Sequence, residues 1–348
     1  MTPQVRCMAT QWILSTAFAI TLLFSSPVYA EGPDGDEFEP GFKGAVQAFV
    51  GFGSSKSLSD ANDENKKIDS LSESASAETE VMAAPLVDLE YTFSNRATSL
   101  FLGRGDVKGI DGNFFLGMGI RQKLMDDSVM TISYIPQLAL FDDEVWEAPY
   151  FTGVERSETN RDSQAFSIGF EGLFGAPLKL RYTYATQDIE DEKSGASQVA
   201  SGKISAGQAA LLQRDSKAHI VETGVMLPLS QNFMVEAGFL YAQNNADGDA
   251  MSFNDYGGRL ELMFMQPAYR IFASVSYDSS DYDKTHPVFN TKREDTIVSS
   301  SIGVEIPRPF GYENISLMIM GDYTTRDSNI TFYDVDEFMV GTGVNWQF

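Results

Sequence analysis

The sequence predicts an all-β protein, a closed antiparallel transmembrane β-barrel of about 14 strands. Three observations support this fold class. Side chains alternate with a period of two along most of the chain, aromatic residues bracket many of the apolar faces, and the connections between segments are alternately short and long. Short periplasmic turns and long outer loops are the asymmetry expected of a bacterial outer-membrane barrel.

The alternation is clearest in the last segment, FMVGTGVNWQF at 338–348. Successive side chains of a strand point to opposite faces, so its large apolar residues share one face and its small or polar residues share the other. The large face carries Phe338, Val340, Thr342, Val344, Trp346 and Phe348. The same pattern recurs at 42–53, 86–93, 177–187, 233–243 and 269–278.

The predicted strands form an even set, as single-chain bacterial barrels require. An even number also places both ends of the chain in the periplasm. Long outer connections are predicted at 54–84, 140–163, 189–217 and 279–294. The strands are expected near 42–53, 85–94, 97–104, 112–124, 128–139, 163–173, 177–188, 218–228, 232–243, 251–265, 268–278, 294–306, 313–325 and 333–348.

A secreted β-sandwich or jelly roll is the alternative fold, since it also alternates. The loop asymmetry favours the barrel, and so does the end of the chain. Phe348 resembles the C-terminal aromatic signal of bacterial outer-membrane proteins, which the barrel-assembly machinery recognises. An open sheet is disfavoured because lipid cannot pair a free row of N–H and C=O groups.

The N-terminal segment reads as a secretory signal peptide at 1–30, followed by a barrel domain at 31–348. An apolar run from Trp12 to Phe24 precedes a small-x-small site that ends at Ala30. The alternative is an uncleaved membrane anchor. The sole cysteine, Cys7, lies in this segment, so the mature chain is predicted to lack disulfides and thiol chemistry. We expect export to the bacterial outer membrane.

The charge balance disfavours nucleic acid as a partner. The chain carries 25 basic and 49 acidic residues, for a net charge of −24. Solvated acidic loops are the simplest explanation, and cation binding is the alternative. Two loop clusters hold possible Ca²⁺ ligands, but neither has the spacing of an EF-hand, and we expect no metal or other cofactor. The clusters are Asn244, Asp247 and Asp249, and Asp278, Asp281 and Asp283.

An enzyme is not predicted. The chain has two histidines, His219 and His286, and neither is accompanied by a serine motif of the kind that hydrolases use. By parity His219 begins a strand on the lipid side, and His286 is expected in a loop. Both are interpreted as surface histidines with satisfied hydrogen bonds rather than catalytic groups.

Charged residues within the predicted strands must face the lumen, because a charge facing lipid costs about 2–4 kcal/mol at the midplane. They either line a pore that selects solutes by sign and size, or form ion pairs that brace the wall. The predicted lumen-lining residues are Lys43, Asp88, Glu90, Arg121, Glu171, Lys179, Arg181, Glu222, Glu236, Arg259, Glu261, Arg270 and Glu305.

One outer loop contains a predicted helix. The segment ISAGQAALLQRD at 204–215 has Ser205 ahead of a run of alanine and leucine, which is a helix-start pattern. The helix would either cover the pore mouth or pack on the barrel rim. The loops 140–163 and 189–217 are the ones expected to restrict the mouth.

Three stretches resemble an uncharacterised family of Gram-negative envelope proteins, domain of unknown function 2860. They are IDSLSESASAETEVMAAPLVDLEYTF at 68–93, FDDEVWEAPYFTGVERSETNRDS at 141–163 and LLQRDSKAH at 211–219. The resemblance implies an exported β-barrel and carries no established activity. Within the second stretch Trp146, Pro149, Tyr150 and Asp162 indicate a folded outer loop.

The sequence therefore predicts a monomeric outer-membrane barrel, porin-like or binding small solutes through a charge-lined lumen. The alternative is a non-transporting surface protein whose acidic outer loops bind a partner or support envelope integrity. Outer-membrane lipids, lipopolysaccharide and the barrel-assembly machinery are the expected partners. The solute, the gate and the surface partner are not specified by the residues.

Overall fold

The computed structural model describes residues 37–104, 107–109, 116–136 and 143–348. The predicted signal peptide lies outside these residues. The strands are β1 (Gly41–Ser57), β2 (Ala77–Thr92), β3 (Thr98–Arg104), β4 (Leu116–Lys123), β5 (Val129–Ile135), β6 (Glu144–Trp146), β7 (Glu158–Glu171), β8 (Leu178–Ile189), β9 (Ser216–Ser230), β10 (Phe233–Ala246), β11 (Phe253–Gln266), β12 (Tyr269–His286), β13 (Thr291–Pro307), β14 (Ile315–Ser328) and β15 (Val335–Gln347).

Helices are short and lie in the outer loop between β8 and β9. They are α1 (Ala196–Ala200) and α2 (Ala206–Ala209). Single 3₁₀ turns occur at Leu173–Gly175, Ala210–Leu212, Pro309–Gly311 and Thr331–Tyr333. In the described part of the chain, no helix has the length and apolar character needed to cross a membrane.

The sheet is closed into a barrel. Each strand pairs antiparallel with its neighbours in sequence, β1 pairs with β15, and β5 pairs with β7. The ring therefore contains 14 strands, because β6 lies outside it and adds only to β7. The predicted fold class and strand number are confirmed. Closure leaves no free sheet edge within the bilayer, where an unpaired backbone group costs several kcal/mol.

Most strands lie at the predicted positions, and several extend further on the outer side. The predicted strand segments 112–115 and 137–139 lie outside the described residues, and β5 ends at Ile135. The predicted long loop at 279–294 is wrong, because β12 continues to His286 and β13 begins at Thr291. Exposed Asp281 and Asp283 lie in this extension of β12. Above the lipid the outward face meets water, and the inward face carries buried polar side chains such as Arg293 and Asp295. The apolar alternation that marks a membrane strand is therefore lost although the strand continues.

The outward face of the ring forms an apolar belt. On β1 the exposed residues run from Phe42 to Phe52, and polar Ser54 and Lys56 follow on the same face. This length agrees with the roughly 9–11 residues that a tilted strand needs to span a bilayer. Aromatic side chains lie near both borders of the belt, as in membrane barrels generally. They include Phe42, Tyr91, Tyr269, Trp346 and Phe348 on one border, and Phe52, Phe166, Tyr256, Tyr277, Tyr323 and Phe338 towards the other.

The C-terminal residue takes part in closing the ring. Its N–H donates to the carbonyl of Gly44 at 2.9 Å, and the N–H of Gly44 donates to the Phe348 carbonyl at 2.9 Å. The Phe348 ring lies over Gly44, and its centroid is 5.9 Å from that of Phe42 and 4.9 Å from that of Trp346. The terminal aromatic residue is thus part of the seam between the first and last strands.

On the inner face a phenylalanine lies flat against glycines of the same seam. Phe49 is buried, and a Cβ added to Gly51 would come within 2.8 Å of its ring. A Cβ added to Gly341 of the neighbouring strand would overlap the same ring. Four buried methionines surround it: Met82, Met318, Met320 and Met339. The two glycines therefore make the room in which this apolar cluster packs.

Gly341→Ala is expected to destabilise the barrel by about 1–3 kcal/mol, because the new methyl group would collide with the Phe49 ring. Denaturant unfolding of the refolded barrel in detergent measures the change. Gly258→Ala is the matched control, since no atom lies within 4 Å of a Cβ there. Removing the ring with Phe49→Ala should remove most of the added cost of Gly341→Ala, and the Val50 carbonyl, 3.0 Å from the added Cβ, accounts for the rest. Equal losses in both backgrounds would contradict the proposed collision.

Candidate functional site: the lumen and its outer cap

The charged residues of β8 to β11 form one ion-pair network on the inner wall. Lys179 Nζ lies 2.8 Å from Glu236, and Arg181 Nη1 lies 3.5 Å from Glu222. Arg259 joins the strands, with nitrogen–oxygen distances of 4.0 Å to Glu222, 3.8 Å to Glu236 and 2.9 Å to Glu261. Three cations thus balance three anions. Two of the pairs cross an intervening strand: Lys179 reaches over β9 to Glu236, and Arg259 reaches over β10 to Glu222.

Glycines on the inner wall leave room for the charged side chains of the network. A Cβ at Gly224 would lie 3.0 Å from a carboxylate oxygen of Glu236, and one at Gly238 would lie 3.8 Å from a guanidinium nitrogen of Arg259. The charged side chains can therefore run along the wall, over the glycine positions, towards partners on neighbouring strands. This arrangement accounts for the glycines at these inner positions.

Arg270 and Arg121 form ion pairs elsewhere on the inner wall. Arg270 of β12 donates to Glu305 of β13 at 3.1 Å, and these residues are directly opposite in register. On the other side Arg121 of β4 lies 3.5 Å from Glu90 of β2 and also pairs with Glu37. These pairs hold the inner wall across neighbouring strands.

The remaining predicted lining residues also lie on the inner face. Asp88 covers Gly103 of the next strand. Glu171 is directly opposite Lys179 in register, and Lys43 Nζ donates to the Glu37 carbonyl at 3.3 Å. The structure thus brings the predicted residues into several separate groups rather than one ring. Which of them a solute contacts stays a prediction.

The periplasmic end of the lumen is partly occupied by the segment that precedes β1. Phe38 is fully buried, and the Arg121 guanidinium lies 5.5 Å from its ring centroid. The chain then enters β1 through Gly41, whose φ of 134° is readily adopted only by glycine. Sequence analysis missed this contact, because Phe38 lies outside the alternating segments.

Residues 107–109 reach across the barrel to the opposite wall. They follow β3, and yet Val107 packs on buried side chains of β7 to β10. A Cβ at Gly109 would lie 2.9 Å from the Cβ of Ala242 and 3.1 Å from a methyl of Leu240. The wall here is made of small and aliphatic residues: Ile135, Ala165, Ala185, Ala218, Ile220, Leu240 and Ala242.

The outer loops pack together into a folded structure, the outer cap, formed by loops 58–76, 143–157, 190–215, 247–252, 287–290 and 329–334. These loops come from positions all around the ring, so a core that they share must lie over the mouth. Its buried side chains are Leu58, Ile68, Tyr150, Ile204, Leu212, Ile330, Phe332 and Tyr333. Leu71, Ala75, Val199, Ala209, Met251, Val288 and Phe289 pack against them.

A buried polar triangle joins the loop 143–157, the end of β12 and the loop 329–334. The Tyr150 hydroxyl lies 2.7 Å from the Tyr333 hydroxyl and 3.0 Å from His286 Nε2, which lies 3.0 Å from the Tyr333 hydroxyl. The Val288 N–H donates to His286 Nδ1 at 3.2 Å. Nδ1 is therefore an acceptor and Nε2 carries the proton, so the neutral imidazole has both nitrogens satisfied.

The expectation of a surface position for His286 is wrong. It is fully buried at the end of β12. His219 does face outward, as predicted, and its Nδ1 lies 2.7 Å from the Tyr182 hydroxyl. The hydrogen-bond partners of both imidazoles are thus tyrosine hydroxyls and a backbone N–H.

Two buried arginines brace the cap. Arg156 donates to the carbonyls of Leu58 at 2.7 Å, Pro149 at 3.0 Å and Asn65 at 2.5 Å, and stacks 4.1 Å from the Trp146 ring centroid. Burial lowers the pKa of Arg156 to about 9. Three carbonyl acceptors and one ring thus hold two loops around a single guanidinium.

The second arginine lies next to the tyrosine–histidine triangle. Arg293 forms a two-pronged pair with Asp295, at 3.0 and 2.5 Å, and lies 3.5 Å from the Tyr333 ring centroid. Its positive charge and the burial of the ring both lower the pKa of His286, burial being the larger cause. The cap thus keeps His286 neutral.

The predicted helix in the loop 189–217 is confirmed. Ser205 accepts from the Gln208 N–H, and the Gln208 side chain accepts from the Ser205 N–H, which is a capping box. α1 also contacts the cap, since Gln198 donates to the Tyr150 carbonyl at 2.7 Å. Parts of both loops expected to restrict the mouth, 140–163 and 189–217, contribute to the cap, and residues 140–142 lie outside the described residues. Restriction of the mouth stays a prediction.

The acidic loop clusters do not converge. Asp278 lies on the inner face over Gly257, whereas Asp281 and Asp283 are exposed. In the other cluster Asn244 is buried, and the two aspartates are exposed. Within the described ranges no group of three or more histidine, cysteine, aspartate or glutamate side chains has a metal-binding arrangement.

Acid is expected to loosen the cap through His286. Its pKa falls from 6.5 to about 3 on folding. As the pH falls below 6.5 the unfolded cap takes up the proton first, so the stability is lost at about 1.4 kcal/mol per pH unit until about pH 3. Protease cleavage of the outer loops in the intact barrel measures this loss.

His286→Gln is the comparison that isolates this effect. Glu78 has the opposite effect on the pH dependence of cap stability. Burial raises its pKa to about 7, so its protonation in acid removes the free-energy cost of burying the charge. From pH 7 to pH 5 the wild type should lose about 2 kcal/mol more cap stability than His286→Gln. Identical pH dependence of the two proteins would contradict the assignment.

Comparison with known proteins identifies a family. Known structures with a similar shape include the OmpT loop L8 deletion mutant of Vibrio cholerae (10% identity, TM-score 0.41, covering 88% of this chain and 98% of that one). Pseudomonas aeruginosa OpdQ (10%, TM-score 0.36, 88% and 98%) and OccK5 (9%, TM-score 0.38, 89% and 99%) are also similar. These likenesses transfer no function.

A search of curated proteins gave no match. The model of one family, described as a protein of unknown function (DUF2860), matches residues 41–347. This range covers the whole ring, from β1 to β15, and the cap above it. The chain is therefore a member of the DUF2860 family, with the closed barrel of a bacterial outer-membrane protein.

Proposed function

We propose that this protein is an outer-membrane channel for small solutes, closed at rest by its outer cap. The observation that carries the proposal is the cap core. Its buried side chains come from loops on all sides of the ring, and the core lies above an interior lined with charged groups. An open diffusion pore would not need such a core, and a solid barrel would not need solvated charges beneath it.

The exposure of the lumen charges supports an anionic solute. In the inner-wall ion pairs between strand residues the cation is more exposed than its carboxylate: 30% against 14% for Arg181 and Glu222, and 25% against 8% for Lys179 and Glu236. The same order holds for Arg121 over Glu90 and for Arg270 over Glu305. The pair of Arg121 with Glu37, which precedes β1, has the reverse order, at 16% against 54%. The surface offered to a solute is therefore more basic than the formal charges of the wall.

The second candidate function is that of a non-transporting surface protein. It is favoured by the obstruction of the barrel at two further levels, by Phe38 at the periplasmic end and by residues 107–109 against the far wall. This candidate predicts a silent bilayer even after the cap is opened. It also predicts that deletion of the cap loops alters adhesion or envelope integrity.

Localisation in the outer membrane would follow cleavage of the N-terminal segment at Ala30. A monomer is proposed because the ring closes on itself without a second chain. Lipopolysaccharide would surround the outer part of the belt, and the barrel-assembly machinery would insert the strands. N-terminal sequencing of the membrane-extracted protein tests the cleavage site.

Opening the cap is expected to create a conductance. Tyr150→Ala removes the ring at the centre of the core and two hydrogen bonds, a loss of about 3–5 kcal/mol. In planar bilayers the wild type should be silent or rarely open, and Tyr150→Ala should give discrete steps. Val154→Ala, at an exposed position of the same loop, is the control and should match the wild type. Silence of a folded Tyr150→Ala barrel would defeat the channel proposal.

The sign of the selectivity is tested in the opened barrel. In the Tyr150→Ala background we expect anions to permeate more readily than cations. Arg181→Glu should reverse or abolish this preference, because it removes the most exposed cation of the network and adds a negative charge. The reversal potential in a salt gradient measures it. An unchanged reversal potential would show that this wall does not face the permeating ions.

A further inference from the structure

Two turns at the periplasmic end of the barrel have the same unusual backbone. One, at 172–176, joins β7 to β8, and the other, at 308–312, joins β13 to β14. In each, the first, third and fourth residues have positive φ: 70°, 57° and 71° in the first turn, and 53°, 58° and 85° in the second. The third residue is a phenylalanine in both: Phe174 and Phe310.

The hydrogen bonds of the two turns also match. The Gly175 N–H donates to the Gly172 carbonyl at 3.1 Å, and the Gly311 N–H donates to the Arg308 carbonyl at 3.1 Å. The following N–H donates to the carbonyl of the second residue at 3.0 Å in one turn and 3.2 Å in the other. Two unrelated pieces of sequence, GLFGA and RPFGY, thus adopt one conformation.

Phenylalanine is an unfavourable choice at this position. The left-handed conformation brings Cβ close to the carbonyl and is adopted readily by glycine, and at times by asparagine or aspartate. Here it directs the ring away from the protein, and the two residues are 89% and 93% exposed. The hydrogen bonds of each turn hold the strained backbone but do not explain the choice of phenylalanine. Since neither ring packs within the barrel, a contact outside this chain would explain that choice.

The position of the turns identifies that contact as lipid. On β7 the outward apolar residues are Phe166, Ile168 and Phe170, whereas Asn160, Asp162 and Gln164 lie above them. This apolar stretch is about half of the roughly 9–11 residues needed to span a bilayer. The turn after β7 carries Phe174 beyond the periplasmic end of this stretch, so its ring extends the apolar surface in that direction. The ring therefore lies at the periplasmic border of the belt, where membrane barrels place aromatic side chains.

We propose that Phe174 and Phe310 are a pair of lipid anchors that insert into the periplasmic phospholipid leaflet. The two turns are six strand positions apart in the ring of 14, so they lie on nearly opposite sides of the barrel. Anchors in this arrangement resist both tilting and vertical movement of the barrel. Tyr312, exposed beside Phe310, adds an amphipathic ring at the same border.

Single cysteines test the contact with lipid. In a Cys7→Ala background the chain has no other cysteine, so Phe174→Cys and Phe310→Cys can each carry one spin label. In vesicles of phosphatidylethanolamine and phosphatidylglycerol, both labels should be relaxed more by oxygen than by an aqueous nickel chelate. Gln231→Cys, in the polar turn between β9 and β10, is the control and should show the reverse order. Labels at 174 and 310 that follow the control would overturn the proposal.

A second pair of variants separates anchoring from packing. Asparagine tolerates the left-handed conformation, so Phe174→Asn and Phe310→Asn relieve the strain while removing the ring. The melting temperature in detergent micelles should stay the same or rise, and insertion into the phospholipid vesicles should slow severalfold. A lower melting temperature in micelles together with unchanged insertion would show that the rings stabilise the barrel itself.

Discussion

The structure depends on the requirement that every backbone N–H and C=O within the lipid be paired by the chain itself. The pairing of β1 with β15 and of β5 with β7 meets it, because together they leave no edge. Closure then separates two environments, lipid outside and a polar interior, and side chains must alternate between them. Phe348 belongs to the same requirement, since it continues the ladder to Gly44 at the seam.

Outside the lipid, the outer loops must bury their apolar surface against one another. The strands continue upward in water, where the loops that join them can bury apolar surface only against one another. They do so in a shared core that includes Tyr150 and Tyr333, which are 183 residues apart in sequence. Buried polar groups there are stabilised by the partners that they find. Examples are the three carbonyls that accept from Arg156 and the Asp295 carboxylate that accepts from Arg293.

The parts of this structure that the sequence predicts are those where one environment acts on many residues in the same way. Lipid imposes a period of two, so the strand positions and the inward direction of Arg181 or Glu236 could be read from parity. The period disappears at 279–294, where both faces are polar, and a loop was wrongly expected there. The side chains of the cap follow no regular period along the sequence. Its contacts join residues such as Tyr150 and His286 that only the closed ring brings together, so no local pattern marks them.

The distribution of charged residues affects which sign of solute charge the lumen would favour. The chain has an excess of acid, yet the inner network has three cations and three anions. Much of the excess lies instead on the outward face above the belt, at residues such as Asp281, Glu294 and Asp336. A balanced network produces little long-range field of its own, so its preference for one sign must come from which partner is nearer to the water. Arginine and lysine reach further than the carboxylates that hold them, and a neutral network can therefore present a basic surface.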